Sequence, residues 1–580
     1  MSTELPIEGH PGAVPATDPG MVTVETGVAG LLRSYSVADE ADVDLAVLSG
    51  SRGTDPTTTV QPPDDSEKYR YLRRTHRWLL PLQTLLFLPV LLSVANFALI
   101  SPWLYPFLLW VGLQLVNTLV GLWSSNQRRR VTLDSHRCLV EGYAPTAWPS
   151  IDVFLPTAGE PLEVLVNTYR HVAALAYPGR VAVHVLDDAA RGQVAAAADR
   201  FGFDYVVRPD RGVLKKAGNM RHAFTRTDHD LILVLDADFV PRPDLLTELV
   251  PYFEDPRVGI VQSPQYFDTT REQNWLQRCA GATQELFYRW VQPSRDGLGV
   301  AICVGTSAVY RRAALRAAGG FAEIEHSEDV HTGVKLRKAG FGLRYVPVLL
   351  TKGLCPAEMR PFISQQYRWA TGSISLMKDR SFYREADLGF RRLLPFCSGF
   401  LYYITTGLAV YVSMLPGPIM MWFFPEAVTP ANYLPFAGAA LVWFVLLPSV
   451  MTGRWRVEVL RVQMLYSFAH GRALWDTARR RTAGWVPTGS TTAPNPVAVT
   501  VMRTLRVVIP FNLLALCSGV VHVAVTAGAD RVWPAAVYAG IYLYVAGPLL
   551  LAPRVCSWRG LLPARRTPRR RPGAVDVTAA

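Results

Sequence analysis

Cysteine is scarce in this chain and never falls in pairs: the seven cysteines among 580 residues show no C-x-x-C spacing. That pattern excludes a thiolate zinc module and argues against a disulfide framework, so reduced thiols are expected. The N-terminus lacks the short apolar stretch that marks a cleavable signal peptide, and none is expected. Charge is thin for the length, at 18% Asp, Glu, Lys and Arg. The acidic side is the smaller, 47 residues against 59, which leaves a net +12. A basic balance suits nucleic acid or a membrane surface. The arginines, however, gather at the ends of apolar blocks, which excludes nucleic acid as a partner and points to membrane lipids.

Half of the residues are hydrophobic, and they are concentrated in blocks. Trp78–Ile100, Trp103–Trp123, Leu393–Leu415, Tyr433–Met451, Val507–Ala527 and Val532–Ala552 each reach the ~20 residues that span a bilayer. Trp78, Trp103, Trp123, Trp455 and Trp533 stand at their edges as an aromatic belt would. Basic residues fix the orientation. Lys68, Arg70, Arg73, Arg74 and Arg77 precede the first block, and Arg128 to Arg130 follow the second. Arg391 and Arg392, Arg454 and Arg456, Arg503 and Arg506, and the Arg565–Arg571 cluster flank the others on the same side. On the opposite side only Arg531 breaks the pattern, so six spans with both termini cytosolic satisfy the positive-inside rule. Pro416–Phe424 is apolar but broken by Pro416, Gly417 and Pro418, and reads as an outer re-entrant or interfacial piece.

The expected organisation follows in order. Residues 1–67, rich in Gly, Pro, Thr, Ser and Asp, form a disordered cytosolic tail. A transmembrane hairpin covers 68–130, a cytosolic α/β domain 150–350, and an amphipathic interfacial helix 358–380. Spans three and four occupy 393–452, a cytosolic connection 453–502, spans five and six 503–554, and a basic cytosolic tail 555–580. The fold class is therefore an α-helical transmembrane bundle with an inserted α/β domain.

Within the α/β domain the stretch Leu231–Asp238, LILVLDAD, carries the strongest chemistry. A short apolar run reads as a strand buried on both faces, typical of a parallel sheet. Strand alternation places Asp236 and Asp238 on the same side. They sit at the carboxyl end, where open α/β sheets bind ligands. Two hard oxygen ligands suit Mg²⁺ or Mn²⁺ shared with a phosphate group. The tripeptide is equally an ordinary strand-ending turn, punctuated by Pro241 and Pro243. A second strand ends in Asp187-Asp188, either an Asx turn or a pair of acceptors for a nucleoside's ring N–H and hydroxyls.

Three further stretches carry two readings each. Ser327-Glu328-Asp329 precedes a helical run that closes at Gly340; Ser is a good N-cap and acids suit the first turn. Pro361–Lys378 is amphipathic and carries Gln365-Gln366-Tyr367-Arg368-Trp369. Gln365 and Arg368 share a helix face, where Arg368 suits a diphosphate and Trp369 a sugar or a lipid headgroup. The same residues serve an interfacial helix as basic and aromatic anchors. Trp485-Val486-Pro487-Thr488-Gly489, after the basic run Arg479–Arg481, is a positive-inside loop or a gate beside an active site.

Taken together, these pieces resemble the processive membrane glycosyltransferases of family 2, nearest the bacterial cellulose synthase catalytic subunits. The resemblance rests on Pro156-Thr157-Ala158-Gly159-Glu160, LDDA at Leu186, KAGN at Lys216–Asn219, DAD at Asp236, QSPQYF at Gln262, SED at Ser327 and QQYRW at Gln365. It implies a GT-A type, Rossmann-like domain, with Thr157, Glu160, Asp187 and Asp188 around uridine and Lys216 and Asn219 near the donor. Asp236 and Asp238 would handle the UDP diphosphate and the metal, and Asp329 would be the general base. Gln365 and Arg368 would hold the diphosphate, with Trp369, Glu328, Gly305 and Thr306 at the acceptor. Trp485 and Thr488 would belong to a gating loop. Two departures are visible: the family's C-G element appears as Val304-Gly305-Thr306 with Cys303 one place earlier, and the gate has Trp485 for Phe and lacks its Lys. The stretch after the last span is too short for a cyclic-di-GMP-binding PilZ domain, so control by that nucleotide within this chain is not expected.

The expected activity is inverting, metal-dependent transfer from a UDP-sugar, first UDP-glucose, to a growing β-1,4-glucan that is extruded, with an accessory export protein as a further partner. The alternatives are another sugar such as N-acetylglucosamine or mannose, a few sugars placed on a lipid, or a non-catalytic polysaccharide conduit. An intact carboxylate set weighs against the conduit.

Overall fold

The computed structural model describes residues 21–22, 35–36, 59–73, 75–271, 273–385, 388–481 and 495–551. Most of the expected N-terminal tail, Trp485 and Thr488 of the gate, and the basic C-terminal tail lie outside the described residues.

The strands that position the site are β1 (Ile151–Thr157), β2 (Val181–Asp187), β3 (Asp204–Val206), β4 (Leu231–Val234), β5 (Phe239–Pro241), β6 (Val258–Gln262), β7 (Tyr266–Phe267), β8 (Ala308–Arg311), β9 (Gly342–Tyr345) and β10 (Thr351–Gly353). Seven of them form one sheet in the order β9-β6-β8-β4-β1-β2-β3. β1 and β4 are buried along their whole length, as a continuous apolar run requires. Their residues alternate between two cores: Ile151, Val153, Leu155, Leu231 and Leu233 on one face, Phe154, Ile232 and Val234 on the other.

The sheet is mixed, which corrects the parallel expectation. β4 pairs in parallel with β1 but antiparallel with β8, which in turn runs antiparallel to β6. The AVYR segment of β8 is too short for the alternation that marks a strand. A second sheet has the order β5-β10-β7.

The helices that matter here are α1 (Leu79–Ala98), α2 (Pro106–Ser125), α3 (Lys215–Phe224), α4 (Glu328–Lys338), α5 (Met359–Lys378), α6 (Phe390–Val412), α7 (Pro416–Phe423), α8 (Pro430–Val450), α9 (Glu458–Ala478), α10 (Pro496–Thr526) and α11 (Ala529–Leu550). Among the described residues six helices are long and apolar enough to cross a membrane: α1, α2, α6 with α7, α8, α10 and α11. The expected six-span bundle with an inserted α/β domain is the observed architecture. α5 joins the two parts. It leaves the small sheet, and Tyr367 donates from it to Asp476 of α9 (3.0 Å).

Candidate active site

The D-x-D turn begins where β4 stops. β4 ends at Val234, so Asp236 and Asp238 stand on the following turn, closed by Phe239 N–H to the Asp236 carbonyl (3.0 Å). Strand alternation therefore does not set their direction; turn geometry does. Asp236 N–H donates to Thr306 Oγ1 (2.8 Å), which ties this turn to the segment after Val304. That segment is gripped from both sides by the QSPQYF stretch: Gln262 Oε1 accepts from Val304 N–H (2.8 Å), and Gln265 Nε2 donates to the Val304 carbonyl (2.9 Å). Thr306 is buried beneath the D-x-D turn, while Gly305, at φ +78°, lies against Asp329. A methyl on Gly305 would stand 2.9 Å from the Asp329 carboxylate.

Lys216 enters from the first turn of α3, after two left-handed residues, Leu214 and Lys215. Its ammonium pairs with Asp236, donates to the Gly305 carbonyl (2.7 Å) and stands 4.0 Å from Glu328. Burial alone would lower its pKa, but Asp236, Glu328 and Asp329 hold it above the ordinary lysine value. Arg368 of α5 is the second cation; burial lowers its pKa, and Glu328, Asp236 and Asp329 oppose that.

Glu328 and Asp329 occupy the first turn of α4, but Ser327 does not cap it. Its backbone is left-handed (φ 55°, ψ 45°) and its hydroxyl makes no cap hydrogen bond. The expected N-cap is thus absent, and the turn is set by packing against α5. Burial and the neighbouring Glu328 push Asp329 up to about 7. Burial likewise raises Glu328. Asp238 is pushed up to about 7 by burial, then by the carboxylates of Asp236 and Glu160. Among the described residues it forms no ion pair. Four carboxylates, Asp236, Asp238, Glu328 and Asp329, therefore face two cations in one partly buried site. The hard oxygens of Asp236 and Asp238 and this deficit of positive charge fit a divalent cation.

The nucleoside-side residues are arranged differently. Glu160 accepts the Ala158 N–H (2.8 Å) and the Thr157 hydroxyl, closing the loop after β1. Asp187 is fully buried, and its oxygens accept from Ala189 N–H (2.9 Å), Arg191 N–H (2.8 Å) and the Tyr205 hydroxyl (3.0 Å). Asp188 forms a two-point pair with the fully buried Arg208 (2.7 and 2.8 Å). Asn219 is buried under β2, its amide donating to the Leu186 carbonyl (2.6 Å). Arg208 and Arg191 were not signalled in the sequence, where Arg208 is only the residue that precedes Pro209. Gln365, Arg368 and Trp369 lie half-buried on α5.

The chain is similar in sequence to known proteins. Residues 231–455 match the family described as "Glycosyl transferase family group 2". The chain is 31% identical over 308 residues to "Cellulose synthase 1" of Komagataeibacter xylinus, which is 51% of this chain and 19% of that protein. It is 32% identical over 236 residues to the "Cellulose synthase catalytic subunit [UDP-forming]" of Xanthomonas axonopodis pv. citri, 40% of this chain and 32% of that protein. The chain thus spans a third or less of these curated relatives. A solved mannosyltransferase from Pyrobaculum calidifontis, in complex with GDP-Man and Mn²⁺, aligns at 16% identity and TM-score 0.39, covering 63% of this chain and 99% of that one.

Proposed function

From the premise that residues 231–455 are a cellulose synthase-like family 2 glycosyl transferase region, we propose that this chain is a UDP-forming hexosyltransferase extending a β-linked polysaccharide, with UDP-glucose as first donor. One observation carries the reading: Asp236, Asp238, Glu328 and Asp329 converge with Lys216 and Arg368 at the carboxyl edge of the sheet, between β4, α4 and α5.

Asp329 is the proposed general base. Its buried carboxylate, raised to about 7, is basic enough to take the proton of an acceptor hydroxyl as that oxygen attacks the anomeric carbon. Attack from the face opposite the departing diphosphate inverts the anomeric centre. Arg368 and Lys216 neutralise charge on the leaving diphosphate. Asp236 and Asp238 would hold Mg²⁺ or Mn²⁺, which when bound adds Lewis-acid neutralisation of that same group. In this reading Trp369, Glu328 and Gly305 serve the acceptor sugar, Trp369 with its ring. Thr157, Glu160, Asp187 and Asp188 shape the uridine end; the Asp187 and Asp188 oxygens being taken up within the chain, these residues act there by fixing the loops after β1 and β2. The candidate spans that adjoin α5 suit onward passage of the product through the membrane, with the α/β domain and both termini on the cytosolic side. The gating role of Trp485 and Thr488 stays part of this proposal.

The test is release of the nucleoside diphosphate by the purified full chain in detergent, with metal: UDP from UDP-glucose or UDP-N-acetylglucosamine, GDP from GDP-mannose. UDP-glucose turnover with a polymer digested by a β-1,4-glucanase is expected. Turnover of another donor would reassign the sugar, release without polymer would point to transfer onto lipid, and no release with any donor would favour the conduit.

A further inference from the structure

Away from the carboxylate site, three segments converge on a surface that is strongly basic and set with exposed rings. The last turn of α5 meets the last turn of α9 where Lys378 Nζ donates to the Thr477 carbonyl (2.8 Å). The segment after α5 folds back so that Phe382 packs on Phe396 of α6, ring centroids 5.0 Å apart. This is the level at which candidate spans end. Ser398 of α6 stands beside Gly121, 3.9 Å from where its Cβ would be, in the last turns of α2 before Ser125.

On this surface Arg380, Arg384, Arg391, Arg392, Arg479 and Arg480 are exposed. Among the described residues none of the six forms an ion pair. Segments 378–392 and 472–481 hold nine Lys and Arg against four Asp and Glu. Two of those acids are engaged inside the chain: Asp379 accepts from Ser381 N–H (2.8 Å), and buried Asp476 accepts from Tyr367 and from Arg472 (3.0 and 2.8 Å). Between the arginines stand Phe390 at 75% exposure, Trp475 at 54% and Tyr383 at 41%. The Arg479 guanidinium lies over the Trp475 ring, 4.2 Å from its centroid.

A solvated positive face accounts for the charge but not for three large rings left open within it. Rings at headgroup depth and cations facing phosphate account for both. We propose that the meeting point of α5, α9 and the start of α6 is a binding surface for anionic phospholipid headgroups. It is separate from the transfer site, and it rests on the six helices lying in a membrane, not on the identity of the sugar.

The test uses the full chain, delipidated in a neutral detergent, with dimyristoylphosphatidylglycerol and dimyristoylphosphatidylcholine as probes, bound lipid being counted by native mass spectrometry. Each Lys or Arg near an anionic surface contributes about fivefold in binding (about 1 kcal/mol). Arg479→Gln with Arg480→Gln should therefore weaken phosphatidylglycerol retention by about 25-fold at low salt, while the paired Lys substitutions retain it. Arg257→Gln, on the distant α/β surface where that side chain is 84% exposed, should change nothing. Added salt should erode the preference. Equal retention of the two lipids, loss of the preference in Arg257→Gln as well, an unaltered preference in the Gln pair, or full displacement by soluble glycerophosphate would each overturn the proposal. None of these readouts requires sugar transfer, so they stand apart from the outcome of the UDP assay.

Discussion

Replacing one glycine with alanine tests whether α5 positions the proposed base. A Cβ at Gly372 would lie 1.9 Å from Ser327 Oγ and 2.3 Å from Ser327 Cβ, with the His326 carbonyl at 3.5 Å. A serine hydroxyl can rotate away; its Cβ cannot. Carbon atoms pack at roughly 3.5–4.0 Å, so the Ser327 turn and α5 must separate by about 1 Å. Overpacking of this kind costs about 1–3 kcal/mol, partly offset by the roughly 1 kcal/mol that alanine gains over glycine inside a helix. The turn that moves carries Glu328 and Asp329, and a displacement of about 1 Å costs on the order of 10²-fold in rate. Gly372→Ala is therefore expected to fold with a modestly lowered melting temperature and to release UDP about a hundredfold more slowly. Ser327→Gly in the same chain removes both clashing atoms and leaves the His326 carbonyl at an ordinary contact distance. Glycine also suits the left-handed backbone at 327. The double variant should recover most of the rate, with a favourable coupling of about 1–3 kcal/mol in a thermal double-mutant cycle. A wild-type rate in Gly372→Ala, or singles whose stability effects simply add, would refute the claim that this contact sets the turn.

Three further outcomes are expected. The Asp329 carboxyl sits above its ordinary value, so its basic form fills as pH rises; kcat should climb through about pH 7 in the wild type. Asp329→Asn should lose about 10²–10⁴-fold while still binding UDP, and an unchanged rate would remove the base assignment. Unfolding would return Asp329 to the ordinary carboxyl value of 3.8, so its burial costs stability progressively between there and about pH 7 and fully above, and the Asn variant should melt higher at pH 8. Because the Lys216 charge lowers Asp329, Lys216→Met should move the rising limb to higher pH, and an unmoved limb would mean the two groups are not coupled in turnover. Chelation with EDTA should stop UDP release and Mg²⁺ or Mn²⁺ restore it; activity indifferent to chelation would sink the metal role of Asp236 and Asp238.

What the sequence made legible is what local pattern determines. The six candidate spans declared themselves because about 20 apolar residues in a row are unavoidable in a bilayer, and β1 and β4 because strands buried on both faces tolerate little else. The carboxylates were legible as a set, yet two local rules applied to them are not what places them. Alternation was applied two residues past the end of β4, and a cap was assigned to a serine that is held instead by α5, 45 residues downstream. The misses share this non-local origin. Arg208 pairs with Asp188 across a strand and a loop and also reaches the Val213 and Lys215 carbonyls, flanking the left-handed turn that aims Lys216 at Asp236. Nothing near Arg208 in the chain announces that role. The QSPQYF glutamines likewise matched a motif whose physical work, gripping the Val304 peptide some 40 residues away, appears only once β6 and the 302–306 segment lie side by side. Residues expected to do chemistry can be proposed from type and spacing. The residues that hold them in register are specified by contacts between distant segments, and these decide whether Asp329 stands where a base is needed.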